Sequence, residues 1–337
     1  MRNRKTLPKA LVVFTAVFLA VFVISFMIGK YPVSPIELLQ VGWGKFAGTT
    51  KTWSNEVELV LFRIRMPRIL AGAMIGAGLS AAGAAYQGIF RNPMVSPDVL
   101  GASAGAGFGA AFSLYMGYGY ASVTLIAFIC GVVSVGVAYI ISTRVQQNPT
   151  LGMVLAGIMI GSLFNAGTSF IKLVADPNNV LPTITYWLMG SVAGVTMQKL
   201  TWAAGPVLSG MTVLMILRWR LNLLTMGEDE ARSMGVNTRV MRIMVVAAAT
   251  LITASCVSIS GLIGWVGLVI PHFARLMVGY DYRILMPTCM LMGATFLLVV
   301  DNVARSIVTS EIPIGILTAF IGAPFFLYLI IDRGNRI

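Results

Sequence analysis

Charge is the scarcest property of this 337-residue chain. Only 11% of its residues are Asp, Glu, Lys or Arg, whereas 57% are hydrophobic. A soluble globular domain carries about 25% charged residues, so this chain could not cover its surface against water. A mean hydropathy of +0.85 agrees, and a polytopic membrane protein is the class that remains. Acidic residues are scarcer than basic ones, 12 against 24, for a net charge of +12. Basic residues of membrane proteins gather in cytoplasmic loops, so the excess calls for no nucleic-acid partner. Histidine is almost absent: His272 stands alone, which excludes a His-rich metal site and makes histidine catalysis untenable. The three cysteines, Cys130, Cys256 and Cys289, lie in apolar runs without a C-x-x-C and read as packing residues.

Nucleotide motifs are missing too. Gly44-Lys45 is followed by Phe46 and lacks the upstream glycine of a P-loop. Gly105-Ala-Gly107-Phe-Gly109-Ala110 matches G-x-G-x-x-A but sits inside an apolar span, not after a strand. No catalytic residue, cofactor or resident metal is therefore expected in this chain, which reads as a transport component and not an enzyme.

Long apolar runs are what the sequence has in plenty. A crossing needs about 20 mainly apolar residues. Runs of about that length fall at 10–28, 69–90, 99–116, 121–142, 151–174, 200–217, 243–259, 285–304 and 315–331, with a tenth, interrupted by Pro271, His272 and Arg275, at 262–279. The expectation is an all-α polytopic membrane protein of ten transmembrane helices, one integral domain over 1–337, with lipid as its surroundings. Segment 181–194 is too short to span and reads as a re-entrant or surface helix. The positive-inside balance puts both termini in the cytoplasm, with hydrophilic stretches 29–62 outside and 218–242 inside. Glycine pairs four apart, Gly72/Gly76, Gly101/Gly105/Gly109, Gly157/Gly161 and Gly190/Gly194, suit close helix packing. Asp301 and Arg305, also four apart, read as an intramembrane pair.

The segment 218–242 carries the sharpest local signal. Thr225 with Glu228 has capping-box spacing, and Gly235 is placed to stop a helix. A short charged helix between two crossings follows, either a solvated loop helix or a rigid docking element. Arg63-Ile-Arg65-Met-Pro67-Arg68 is the other anomaly, since it sets basic residues on the outer side; snorkelling beside Pro67 is its plain reading.

Taken in order, the pieces resemble the permease subunit of type II ABC importers for cobalamin, haem and ferric siderophores. They are Arg65-Met-Pro67-Arg68, the run from Gln87 through Arg91-Asn92-Pro93 to Pro97 and Gly101, Leu221 to Gly235, Gly264 through Pro271-His272-Phe-Ala-Arg275, and Glu311-Ile-Pro313 with Gly322-Ala323-Pro324. The resemblance implies a homodimer in the inner membrane, with the pathway between the two copies. It also implies two cytoplasmic ATPase subunits that hold ATP and Mg, and a periplasmic substrate-binding protein. Residue by residue, it implies ATPase coupling at Gly227, Glu228, Asp229, Glu230, Ala231, Arg232, Ser233 and Gly235. It implies binding-protein docking at Arg65, Arg68 and Arg305. It implies a cytoplasmic gate at Pro149, Thr150 and Leu151, following Asn148. The implied cargo is a metal-containing nutrient, ferric siderophore, haem or cobalamin, with a metal oxyanion such as molybdate or tungstate as the alternative. A secondary transporter working alone would call for paired intramembrane carboxylates, which the sequence lacks.

Overall fold

A computed structural model describes residues 7–48, 53–144, 149–307 and 311–334. Among these residues the chain is helical, with no strand. α1 (Leu7–Ser25) is followed by α2 (Pro35–Ala47). α3 (Asn55–Leu59), a π-helical turn (Val60–Arg65) and α4 (Met66–Ile89) run on as one rod. A 3-10 turn (Pro97–Leu100) precedes α5 (Ala102–Tyr115), α6 (Tyr120–Ser142) and α7 (Pro149–Val174). Then come α8 (Val180–Met189), α9 (Met197–Met226), α10 (Glu228–Ser233) and α11 (Thr238–Ser260). α12 (Val266–Val278), α13 (Tyr282–Ala304) and α14 (Ile314–Gly334) complete the chain.

Six helical stretches are long and apolar enough to cross a membrane: Asn55–Ile89, Tyr120–Ser142, Thr150–Val174, Met197–Met226, Thr238–Ser260 and Tyr282–Ala304. Lys9–Ser25, Val266–Val278 and Ile314–Leu327 are shorter apolar helices, and α5 has 14 residues. The run at 262–279 thus yields a helix of 13 residues, because the backbone from Gly261 to Trp265 is not helical.

The expected hydrophilic stretch at 29–62 is mostly helical. Ser34 accepts from the Glu37 N–H while the Glu37 carboxylate accepts from the Ser34 N–H at 2.8 Å, a full capping box with Pro35 in the first turn. Val33, Val41, Val57 and Leu61 form a small buried cluster under it, and Lys45 pairs with Glu58 at 2.6 Å. The apolar spacing of 33, 41, 57 and 61 is too sparse to be seen against the surrounding polar residues.

Burial separates inner from outer helices. In the most apolar windows of Asn55–Ile89 and Thr238–Ser260, 78% of residues are buried, against 28% in Tyr120–Ser142 and Thr150–Val174. α4 is therefore the axle, packed on α9, α11, α12 and α13, while α5, α6 and α7 form a group beside it. Glycine lets α4 come so close. A Cβ at Gly83 would collide with the Gly267 carbonyl of α12, and one at Gly76 with the Gly293 carbonyl of α13. Gly105, Gly109 and Gly157 likewise lie against a neighbouring backbone carbonyl, but Gly194 faces open space and is no packing glycine.

Gly83→Val is expected to lower the yield of monodisperse protein severalfold in size-exclusion chromatography, because overpacking costs about 1–3 kcal/mol where the neighbour can yield and more where it is backbone. Gly136→Ala, which meets nothing within 4 Å, should leave the yield unchanged or raise it.

Candidate functional site: charged clusters at the two ends of the bundle

α4 and α13 run antiparallel, so the start of α4 meets the end of α13. There Arg68 lies between two carboxylates. Its Nε donates to Asp301 at 2.9 and 3.1 Å, and its Nη1 donates to Glu311 at 2.9 and 2.8 Å. Arg68 is 6% exposed and Asp301 1%. Arg305 Nη2 donates to the Ser25 carbonyl at 2.6 Å and to the Asn302 side-chain oxygen, while Asn302 Nδ2 donates to the Ser25 hydroxyl at 2.9 Å. Arg65 donates to the carbonyls of Phe26 and Tyr31. The three arginines thus tie the end of α1 to α4, α13 and Glu311.

One expectation is refined here. The chief partner of Asp301 is Arg68, 233 residues away, with Arg305 standing off at 3.7 Å. Local spacing pointed to the weaker contact because it cannot reveal a partner across the bundle. Arg65, Arg68 and Arg305 are also all buried, at 3%, 6% and 5% exposure. Their guanidinium groups are turned inward, Arg68 onto two carboxylates and Arg65 onto backbone carbonyls.

The opposite end gathers α10, the start of α7 and the turn after α4. α9 runs on to Met226, so Thr225 is its last turn and not a cap. The Thr225 hydroxyl donates back to the Asn222 carbonyl at 2.7 Å, and the N-cap of α10 is Gly227. The expected stop holds. Gly235 at φ +79° donates to Arg232 and Val236 donates to Ala231, at 2.9 and 3.0 Å, the paired bonds of a Schellman motif. Ala231 is the buried anchor of α10.

Glu228 is half-buried and turned toward α11. It accepts from Arg232 and the Thr238 hydroxyl at 3.0 Å each and from Arg242 at 3.3 Å. Burial pushes its carboxyl up, but the Thr238 hydroxyl and Arg242 outweigh that and hold it below the ordinary glutamate value of 4.5. Its hold on α11 is therefore present at neutral pH and lost as pH falls through that depressed value. Asp229, Glu230, Ser233, Met234 and Gly235 are exposed. Asp281 caps α13 nearby; Arg283 holds its carboxyl down to about 2, and Asn222 joins it at 2.8 Å.

Pro149 begins α7, and Asn148 lies outside the described residues. Thr150 shares a crevice of about 20 Å³ with Arg91, Glu228, Thr238 and Arg242, whereas Leu151 is exposed. The structure therefore brings one expected gate residue beside the inner face of α10. Sequence reasoning missed Glu311, Asn302 and Ser25 as partners of the buried arginines. The only signal for them was the rule that intramembrane charges pair.

The FecCD transport family matches residues 17–332. The chain is 39% identical over 330 residues to the molybdate import system permease protein MolB of Haemophilus influenzae, covering 97% of each. It is 40% identical over 284 residues to the cobalamin import system permease protein BtuC of Halobacterium salinarum, covering 83% of this chain and 75% of that one. A solved inward-facing ABC transporter of the metal-chelate type superposes with a TM-score of 0.84 at 37% identity, covering 96% of this chain and 98% of that one.

Arg68→Gln leaves Asp301 buried without its chief cation, a loss of about 3–5 kcal/mol. It should cut the yield of folded protein, and Arg68→Gln with Asp301→Asn should recover much of it. Thermal unfolding in detergent measures both. At the other end, Glu228→Gln should lower the unfolding temperature at neutral pH, whereas Glu230→Gln should not.

Proposed function

The chain belongs to the FecCD transport family and is a permease subunit of an ABC importer, and we propose that it works as one half of a homodimeric pathway for a metal-containing nutrient. In this reading the shorter apolar helices complete ten crossings, α10 lies in the cytoplasm with both termini, and two ATPase subunits seat against it. A periplasmic binding protein delivers cargo at the Arg68 end. ATP is hydrolysed by the partner, and no residue of this chain takes part in that chemistry.

One observation carries the pathway. α7 leaves Ser162, Asn165 and Ser169 exposed at i, i+3 and i+7, beside Met159 at 71% and Leu163 at 68% exposure. The two serines bond back to their own helix at 2.8 and 3.0 Å, but Asn165 has no side-chain partner among the described residues. Lipid offers an amide nothing to bond with, so this polar stripe belongs against a second copy or an aqueous route. Membrane proteins place such residues inward.

On α10 the groups that reach an ATPase are Asp229, Glu230, Ser233 and Met234, while Glu228 orients the helix from within. Rigid-body motion of the ATPase would pass through α10 to Thr150, which shares a crevice with Glu228. Arg65, Arg68 and Arg305 support docking indirectly, by fixing the surface around them.

For the cargo, the chelate reading rests on the family, and relatives with different cargo are almost equally similar. A metal oxyanion is the second reading. It is favoured by the likeness to MolB over nearly the full length of both chains.

Reconstitution with ATPase and binding protein in proteoliposomes tests the pathway. Asn165→Phe should reduce uptake at least about fivefold while ATP hydrolysis persists; unaltered uptake would remove α7 from the route. Asp229→Ala with Glu230→Ala should lower the ATP hydrolysis stimulated by binding protein; unchanged stimulation would free α10 of its coupling role. Calorimetry of the binding protein separates the cargoes. Tight binding of one chelate assigns that chelate, tight binding of molybdate alone assigns the oxyanion, and binding of neither removes the metal cargo.

A further inference from the structure

Beside α10 the fold forms a half-open cavity of about 260 Å³, between the ends of α4, α9 and α12 and the start of α13. Gln87, Arg91, Asn92, His272, Arg275 and Tyr282 contribute its polar lining, and no carboxylate lines it among the described residues. None of the steps of import described above uses it.

Arg275 is the anomaly. It is 9% exposed, yet its Nη1 has no hydrogen-bond partner, and it forms no ion pair among the described residues. The nearby Tyr282 hydroxyl donates to the Ala84 carbonyl at 2.9 Å and so offers Arg275 only a neutral oxygen. Gln87 adds a second unmet group. Its Nε2 donates to the carbonyls of Val95 and Leu268 at 3.2 and 3.3 Å, which fixes the amide and leaves Oε1 buried without a partner. Arg91, at φ +48°, brings a second guanidinium to the rim, and it too has no ion pair among the described residues. A buried arginine lacking a counter-charge is costly. The contrast with Arg68, saturated by two carboxylates of its own chain, is complete.

We propose that this cavity binds a small tetrahedral oxyanion, with Arg275 as its chief ligand and Arg91 at its mouth. An arginine fork matches two oxygens of such an anion. The Gln87 Oε1 would accept from the hydroxyl that a phosphate carries near neutral pH. The charged tip of Arg275 is buried within the fold, so a free anion reaches it more readily than a carboxylate held on another protein's surface. Free inorganic phosphate and an imported oxyanion share this chemistry. The proposal stands on the geometry of this chain and does not depend on the cargo.

The test is equilibrium binding of radiolabelled orthophosphate to the full-length chain in phosphatidylcholine nanodiscs. Saturable binding of one phosphate per chain is expected, displaced by sulfate and molybdate and not by chloride. Arg275→Gln should weaken it about tenfold or more, the loss of one charge-assisted bond, while Arg283→Gln, on an exposed residue at the same end, should not. Should Arg275→Gln fail to fold, Gln87→Glu decides the matter, since an internal carboxylate should abolish phosphate binding in a folded chain. Displacement by molybdate at concentrations far below phosphate identifies the imported oxyanion as the source. Equal potency identifies cellular phosphate. Absence of saturable binding up to about 10 mM, or binding unchanged by Arg275→Gln or by Gln87→Glu, overturns the proposal. Transport in proteoliposomes is a separate readout, so that failure would leave the importer reading standing.

Discussion

A guanidinium where water is excluded is costly unless the fold meets its charge, and Arg68 is met by two carboxylates. Asp301 comes from the far end of α13 and Glu311 from the segment before α14, so one residue near the start of α4 binds three parts of the chain. Arg305 and Arg65 extend the tie to Ser25 at the end of α1 and to Phe26 and Tyr31 beyond it. Because α4 lies at the centre of the bundle, this knot fixes the position of the axle, and the glycine contacts at Gly76 and Gly83 fix its distance from α13 and α12. The ends of α4 and α13 cannot separate without exposing charge to an environment that cannot solvate it.

The opposite end is built with looser means. α10 has six residues, too short to stand alone. It is held by one buried alanine, a Schellman turn at Gly235, and Glu228 reaching Thr238 and Arg242 on α11. A partner pressing on Asp229 or Glu230 therefore moves α11 with α10.

The membrane class and all-helical character were legible in composition and apolar run length alone, since both follow from the exclusion of water. The Gly235 stop was legible because a C-terminal glycine acts locally. Thr225 misled, because capping-box spacing does not reveal that the previous helix has not ended. Asp301 was legible in part: spacing of four gave the contact with Arg305 at 3.7 Å, while the closer partner lay across the bundle at Arg68. Helix α2 escaped notice because its apolar positions are few, and only its packing on Val57 and Leu61 makes them a core. The seating of Arg65, Arg68 and Arg305 could not be read from sequence, since exposure is a property of the packed bundle.

Saturation divides the arginines of this chain into two kinds. Arg68 has carboxylates on both sides, and the hydrogen bonds of Arg65 and of the Arg305 tip end on carbonyls and an amide of the same chain, while the Arg305 Nε, without a hydrogen bond, still has Asp301 at 3.7 Å, so removing any of them damages the fold first. Arg275 is buried to a similar degree, 9% exposed against 6% for Arg68, but no acidic residue among the described ones answers it. Folding tolerates a buried guanidinium where carbonyls of the chain meet its donors, as at Arg65, or where something outside the chain can answer it. Burial alone would class Arg275 with Arg68 as structural. The count of satisfied donors separates them, and it leaves near α10 a guanidinium donor that a solute can answer.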